Sequence, residues 1–190
     1  VLMNGYIRGI MIDMINKTGA ISTGHVKVVT KAYADNIDQI PNDLAITNVS
    51  SLKRDLEETF PHMKWVSRIK FGGLIDIPDE NGETQSQGPG MGIGLDLFSE
   101  NSGEAERLNL SKSLVRGSLP ANPGEVLLSE DFSQKLKVNP GEKVTLIGST
   151  MNGSMAIYNF HMSGTIRFGN TGMDRGTVIA DIHDVQTALD

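Results

Sequence analysis

Four histidines, one glycine-rich run and a set of scattered carboxylates are the residues with chemistry to offer, and their spacing limits it. His25, His62, His161 and His183 stand apart. None lies three or four residues from another, as two ligands on one helix face would. No metal site is expected from them. Gly88-Pro89-Gly90-Met91-Gly92-Ile93-Gly94 has the glycine density of a phosphate-binding loop. It lacks a following Lys-Ser/Thr pair, and Leu95-Asp96-Leu97 continues extended where a helix N-terminus would have to open. The run reads instead as close-packed or bulged backbone beside a hairpin. Asp76, Asp79, Asn81 and Glu83 resemble a calcium loop. Ile77 takes the first ligand position, however, and Gly88 the final glutamate position, so a hairpin tip accounts for them better. No Gly-x-Ser-x-Gly elbow occurs, and spacing singles out no pair of carboxylates. The chain is expected to be non-catalytic, with no metal or cofactor of its own.

Composition narrows the partners. The net charge is −6, and the densest basic stretch (Lys53, Arg54, Lys64, Arg68, Lys70) is diluted by Asp55, Glu57 and Glu58. That excludes the clustered basic surface nucleic acids require. The absence of cysteine excludes a disulfide framework, a thiolate zinc site and a cysteine nucleophile together. With 38% hydrophobic residues, 21 glycines and 7 prolines, the 190-residue chain has a loop-rich globular composition and is long enough to bury a core.

The elements follow from periodicity. In residues 1–17 apolar side chains recur at Met3, Ile7, Ile10 and Met14, with a second row at Leu2, Tyr6, Met11 and Ile15. This is an amphipathic helix. It suits either a core-facing helix or the outer end of a membrane helix continuing upstream, so that residues 1–21 would be the stub of a first transmembrane span. Residues 24–29 alternate into a strand. Leu52, Leu56 and Phe60 line one face of a helix capped by Asn48 or Ser50 and ended near Pro61. A strand through Ile77 is expected to turn at Asp79-Glu80-Asn81-Gly82 and return towards Leu97, interrupted by the glycine run. Further strands are expected at 126–128, 143–147, 155–162, 165–168 and 177–180. Ser129 is expected to cap a helix through Leu136, and a short helix over His183–Leu189 is expected to be capped near Asp181. The mixture, without a regular βαβ rhythm, argues for an α+β fold.

The order of these features resembles the extracytoplasmic domain of MacB/LolC/LolE-type ABC-transporter permeases, an FtsX-related family. Thr23-Gly24-His25-Val26-Lys27-Val28 resembles the strand that leaves the first membrane helix there. Phe60-Pro61-His62-Met63-Lys64-Trp65 resembles the helix-to-strand step, and Met91-Gly92-Ile93-Gly94-Leu95-Asp96 the strand end before a helical linker. In the second half the similar stretches are Leu114-Val115-Arg116-Gly117-Ser118-Leu119, Gly124-Glu125-Val126-Leu127-Leu128-Ser129, and Val138-Asn139-Pro140-Gly141-Glu142-Lys143-Val144. Phe160-His161-Met162-Ser163-Gly164-Thr165 and Val178-Ile179-Ala180-Asp181 with Val185 and Leu189 complete the set. The resemblance covers essentially the whole chain, in order.

That resemblance implies a two-part domain: a discontinuous porter-like αβ unit (22–97 and 161–190) with an inserted, smaller, β-rich sabre-like unit (98–160). It implies a place in the bacterial inner membrane, with this domain on the periplasmic side. The implied partners are an ABC ATPase that binds ATP and magnesium, a second permease copy, and an envelope carrier or substrate protein. The chain departs from the lipoprotein-releasing members in one respect. Residues 148–158 have room for only a short hairpin at Asn152-Gly153, where those members carry a long hook. Met151, Asn152, Met155 and Ile157 are the candidate partner contacts, since methionine-rich surfaces adapt to varied ligands; inward packing of the same side chains is the competing reading. A stand-alone envelope ligand-binding or adhesion module is the alternative function.

Overall fold

A computed structural model describes residues 6–8, 19 and 24–190. Apart from Tyr6, Ile7 and Arg8, which are helical, the expected membrane-proximal helix lies outside the described residues. The strands are β1 (Arg68–Pro78), β2 (Thr84–Leu95), β3 (Leu114–Gly117), β4 (Glu125–Ser129), β5 (Lys143–Ser149), β6 (Met155–Ile166) and β7 (Thr177–Asp181). The helices are α1 (Lys31–Asp35), α2 (Val49–Thr59), α3 (Glu104–Arg107), α4 (Leu110–Ser113), α5 (Glu130–Leu136), α6 (Thr171–Asp174) and α7 (Ile182–Leu189).

The strands run β3-β6-β4-β7-β2-β1-β5 across one sheet, and β5 pairs back onto β6. Six strands therefore close into a mixed barrel, with β3 added on the outside of β6. This overturns the expected α+β fold of a porter-like unit with a sabre-like insertion: the described chain is β-rich, and its helices are short. The boundary placed at residue 160 falls inside β6. The reason is non-local pairing. Met91 of β2 lies beside Thr177 of β7 in parallel register, and Leu74 of β1 opposite Ile147 of β5. Those contacts join segments that periodicity treats as separate units.

The glycine run is strand and not an interruption. β2 extends from Thr84 to Leu95, and Gly88, Gly90, Gly92 and Gly94 alternate onto its inner face. A six-stranded barrel is narrower than the eight-stranded size whose bore side chains just fill. Bulky side chains of the neighbouring strand β1 and of the two end helices therefore rest directly on the β2 backbone. A Cβ at Gly92 would stand 1.9 Å from Cζ of Phe71, and one at Gly90 2.6 Å from Cγ1 of Ile75. Gly88 receives the side chains of Phe132 and Leu136 from α5, and Gly94 that of Val185 from α7. Phe71, Ile75, Phe132, Val144, Leu146, Phe160, Val178 and Val185 belong to the resulting core.

A second core covers part of the outside. Ile93, Leu95, Leu127 and Ile179 point outward from β2, β4 and β7 and are buried by Leu108, Leu110, Ile166 and Phe168. β7 is therefore buried on both faces, with Val178, Ile179 and Ala180 an unbroken apolar run between Thr177 and Asp181. The two helices that follow buried strands close the barrel ends. α5 lies at the end where Ser86 Oγ donates to Leu136 O at 2.5 Å, and α7 lies against β1, β2, β6 and β7 at the other. Asp181 caps α7 as expected, accepting from His183 N. Ser129 opens α5 without a side-chain cap; its Oγ accepts from Thr177 N instead. Residues 24–29 form no strand and expose Val26 and Val28, since the barrel strands use one another as partners.

Arg116 fastens β3 to α5. Its guanidinium donates to both Glu130 oxygens, to Ser133 Oγ and to Asn139 Oδ1. Burial is the largest single influence on the Glu130 carboxyl and opposes its ionisation. Hydrogen bonds from Thr165, Arg116 and Gln134, together with the arginine charge, outweigh it and hold the carboxyl below its usual range.

Two stability measurements test this architecture. Gly92→Ala is expected to cost about 3 kcal/mol in urea unfolding, and the added change Phe71→Leu to recover part of it. Gly72→Ala, where an added Cβ meets nothing within 4 Å, should change stability by less than about 0.5 kcal/mol. Glu130→Gln should cost about 2 kcal/mol at neutral pH. Since folding lowers the Glu130 value, its contribution is complete above the ordinary carboxyl value of about 4.3 and drains as pH falls through the folded-state value. The gap between wild type and variant should therefore close in acid.

Candidate functional site

The residues with catalytic potential are not brought together. All four histidines are exposed on separate parts of the fold. Among the described residues no group of three histidine or carboxylate side chains is placed to hold a metal ion. Asp79 sits at the β1–β2 turn, where its Oδ1 accepts from Asn81 N and Glu83 N at 2.8 Å. Those bonds, led by the one from Glu83, hold the carboxyl below its usual range. Asp76, the other half of the calcium-like pattern, lies within β1 and is not part of that turn.

An open cleft of about 680 Å³ lies beside the loop after β2, lined by Lys64, Asp96, Ser99, Glu100 and Glu106 among others. Its buried carboxylate, Glu104, is fully engaged: Arg68 Nε donates to Oε2 at 2.6 Å, and Arg107 binds Oε1. Ser102 Oγ donates to the Asp96 carbonyl, tying the loop to itself. These contacts hold the α3 segment against β1. The buried acid of the cleft is therefore held in ion pairs.

The candidate partner residues fare differently. Met155 and Ile157 lie on the outer face of β6, at 74% and 62% exposure, while Ala156 and Phe160 point into the barrel. Inward packing of Met155 and Ile157 is excluded. Met151 and Asn152 occupy the turn between β5 and β6, closed by Thr150 N donating to Ser154 O and Gly153 N to Thr150 O. Met151 is half-buried and Asn152 exposed.

Register extends this face beyond those four residues. Pro89, Leu74, Ile147 and Ile157 stand side by side across β2, β1, β5 and β6. Met91 faces Gly72 in the next row and is 55% exposed. On the far side runs a polar row of Gln87, Asp76, Thr145 and Asn159, in which Thr145 Oγ1 donates to Asn159 Oδ1 at 2.8 Å. Oδ1 of Asp76 in this row is buried without a hydrogen-bond partner. The outer face thus carries an apolar stripe bordered by a polar row whose middle members, Asp76 and Thr145, are buried. Sequence reading missed Leu74, Pro89, Met91 and Ile147. Their parity within each strand was legible, but which strands lay beside β6 was not.

The same end of the barrel gathers charge. Lys70 is half-buried at the start of β1, and its ammonium is pushed below the usual lysine range by burial first, then by the Lys27 and Arg68 charges. Lys27 also lies 5.2 Å over the Tyr33 ring.

No protein-family model matches the chain, and no curated protein matches it.

Met155→Asp and Ile157→Asp should each leave thermal stability within about 0.5 kcal/mol of wild type, as expected of exposed positions. Phe160→Ala, on the inner face of the same strand, should cost about 4 kcal/mol. Equal losses at all three sites would show that the outer face is packed.

Proposed function

We propose that this chain is an extracytoplasmic domain of an ABC-transporter permease of the MacB/LolC/LolE type. In this reading it sits on the periplasmic side of a bacterial inner membrane and passes motion of the membrane helices to a cargo or an envelope partner. ATP and magnesium bind a partner ATPase and not this domain. A second permease copy, identical or related, completes the assembly. The reading does without the porter-and-sabre architecture, which the closed barrel replaces.

The observation that carries it is the position of the two ends of the described chain relative to the barrel. The Lys27 charge helps lower the Lys70 ammonium, at the start of β1, and Leu189 O accepts from Met151 N at 2.9 Å in the turn that follows β5. The start of β1 and the end of β5 belong to one end of the barrel, because the two strands are antiparallel. A domain anchored through both flanking segments at one end can be moved as a unit from that side. The ordered resemblance along the chain supports the same reading, as does the apolar stripe on the outer face. A stand-alone envelope module would use that surface without flanking membrane segments.

The deciding experiment isolates the full-length protein from membranes in detergent. Co-purification of an ATPase whose hydrolysis depends on the permease is the expected result. A mature protein released without membrane extraction, preceded by a cleaved leader and unaccompanied by an ATPase, would sink the proposal. Within a working transporter, Ile157→Asp is expected to lower cargo release at least about tenfold while ATP hydrolysis continues. Unchanged release would remove the outer stripe from the contact surface.

A further inference from the structure

One helix holds three separate loops at the same end of the barrel. Asp181 Oδ2 accepts from Leu97 N at 3.0 Å, at the start of the loop after β2. Asp184 Oδ2 accepts from Gly124 N at 2.7 Å, in the turn before β4. Leu189 O accepts from Met151 N at 2.9 Å, in the turn between β5 and β6. In each bond the donor is a loop amide and the acceptor belongs to α7 or its cap. Asp181 and Asp184 are both buried, so losing either bond leaves a desolvated carboxylate short of a partner. The body of α7 is stiffened by Ile182, Val185, Ala188 and Leu189, all buried beneath it. Val185 rests on Gly94 of β2, where no side chain intervenes.

We infer that α7 is a coupling rod: a displacement of this helix shifts the loops at Leu97, Gly124 and Met151 together. The turn at residues 150–154, with the methionine and asparagine that begin the exposed stripe, is the output at its C-terminal end. The hydrogen bonds carry the inference by themselves, while its use in transport rests on the permease reading. Three acceptors on one rigid element form a single cooperative unit, in contrast to three loops that open independently. Coupling of this kind is reciprocal, so perturbing any one loop loosens the other two.

Residue-resolved amide hydrogen exchange on the 190-residue chain tests it. Asp184→Ala removes the acceptor for Gly124 alone. Coupling predicts that the Leu97 and Met151 amides then exchange about tenfold faster as well, while amides of the β1–β2 hairpin near residue 79 do not change. Met151→Pro removes the donor at the other end of the helix. Because Met151 is the second residue of a turn closed by Gly153 N donating to Thr150 O, proline is tolerated there. Faster exchange at Gly124 and Leu97 in this variant is the reciprocal expectation. Asp184→Asn, which retains an acceptor oxygen, should largely restore protection. Faster exchange confined to the loop whose bond was removed would overturn the inference, as would a uniform rise across the whole barrel. If exchange is coupled but Met151→Pro leaves transport in the full-length protein unchanged, the rod stands and its role in a permease fails.

Discussion

The bore of a six-stranded barrel is too narrow for every strand to carry inward side chains, and the Phe71 ring lying on Gly92, its partner on the neighbouring strand, is where that limit is met. One strand, β2, gives up its inner side chains at four successive inward positions so that its neighbour β1 and the two end helices can fill the space. Phe71 and Ile75 fill it from β1, Phe132 and Leu136 from α5, and Val185 from α7. The closure of β5 onto β6 depends on this economy, since a thicker β2 would push β1 and β5 outward and open the ring.

Once the ring is closed, the remaining features fall into place around it. β7 lies in the middle of the strand order and is covered on both faces, so it supports an inner and an outer core at once. Helices close the two ends through different means. α5 is tied down by the Arg116–Glu130 ion pair and its hydrogen bonds, whereas α7 is held by the apolar face beneath it and by two buried aspartates that reach loop amides. The two buried aspartates at the α7 end hold the loops at Leu97 and Gly124 in place.

Much of the local structure was legible. The helix over Leu52 and Leu56, the turn at Asp79 to Gly82, the β4–α5 step and the Asp181 cap all follow from residue type and spacing, and they appear where expected. The glycine run was read as close-packed or bulged backbone interrupting the strand; the close packing is present and the interruption is not, since glycine lowers strand propensity only when its neighbours are unknown. Facing Phe71 and Ile75, the same residues are the ones that fit. Residues 24–29 alternate like a strand yet join no strand of the sheet among the described residues, because alternation describes a strand's faces and says nothing of its edge. Met155 and Ile157 were recognised as candidates, but their outward direction depended on Ala156 and Phe160 facing the core.

From the sequence alone came the short turn at Asn152-Gly153, the cap at Asp181 and most individual elements. All of these depend on residue types and on contacts a few positions apart. The fold class and the extent of the exposed stripe were decided only by tertiary structure. So was the gathering of Leu97, Gly124 and Met151 onto one helix. Each rests on pairings between residues tens of positions apart, such as Leu74 with Ile147 or Met91 with Thr177. Those pairings are chosen by the shared packing of a closed core, and no local pattern encodes them.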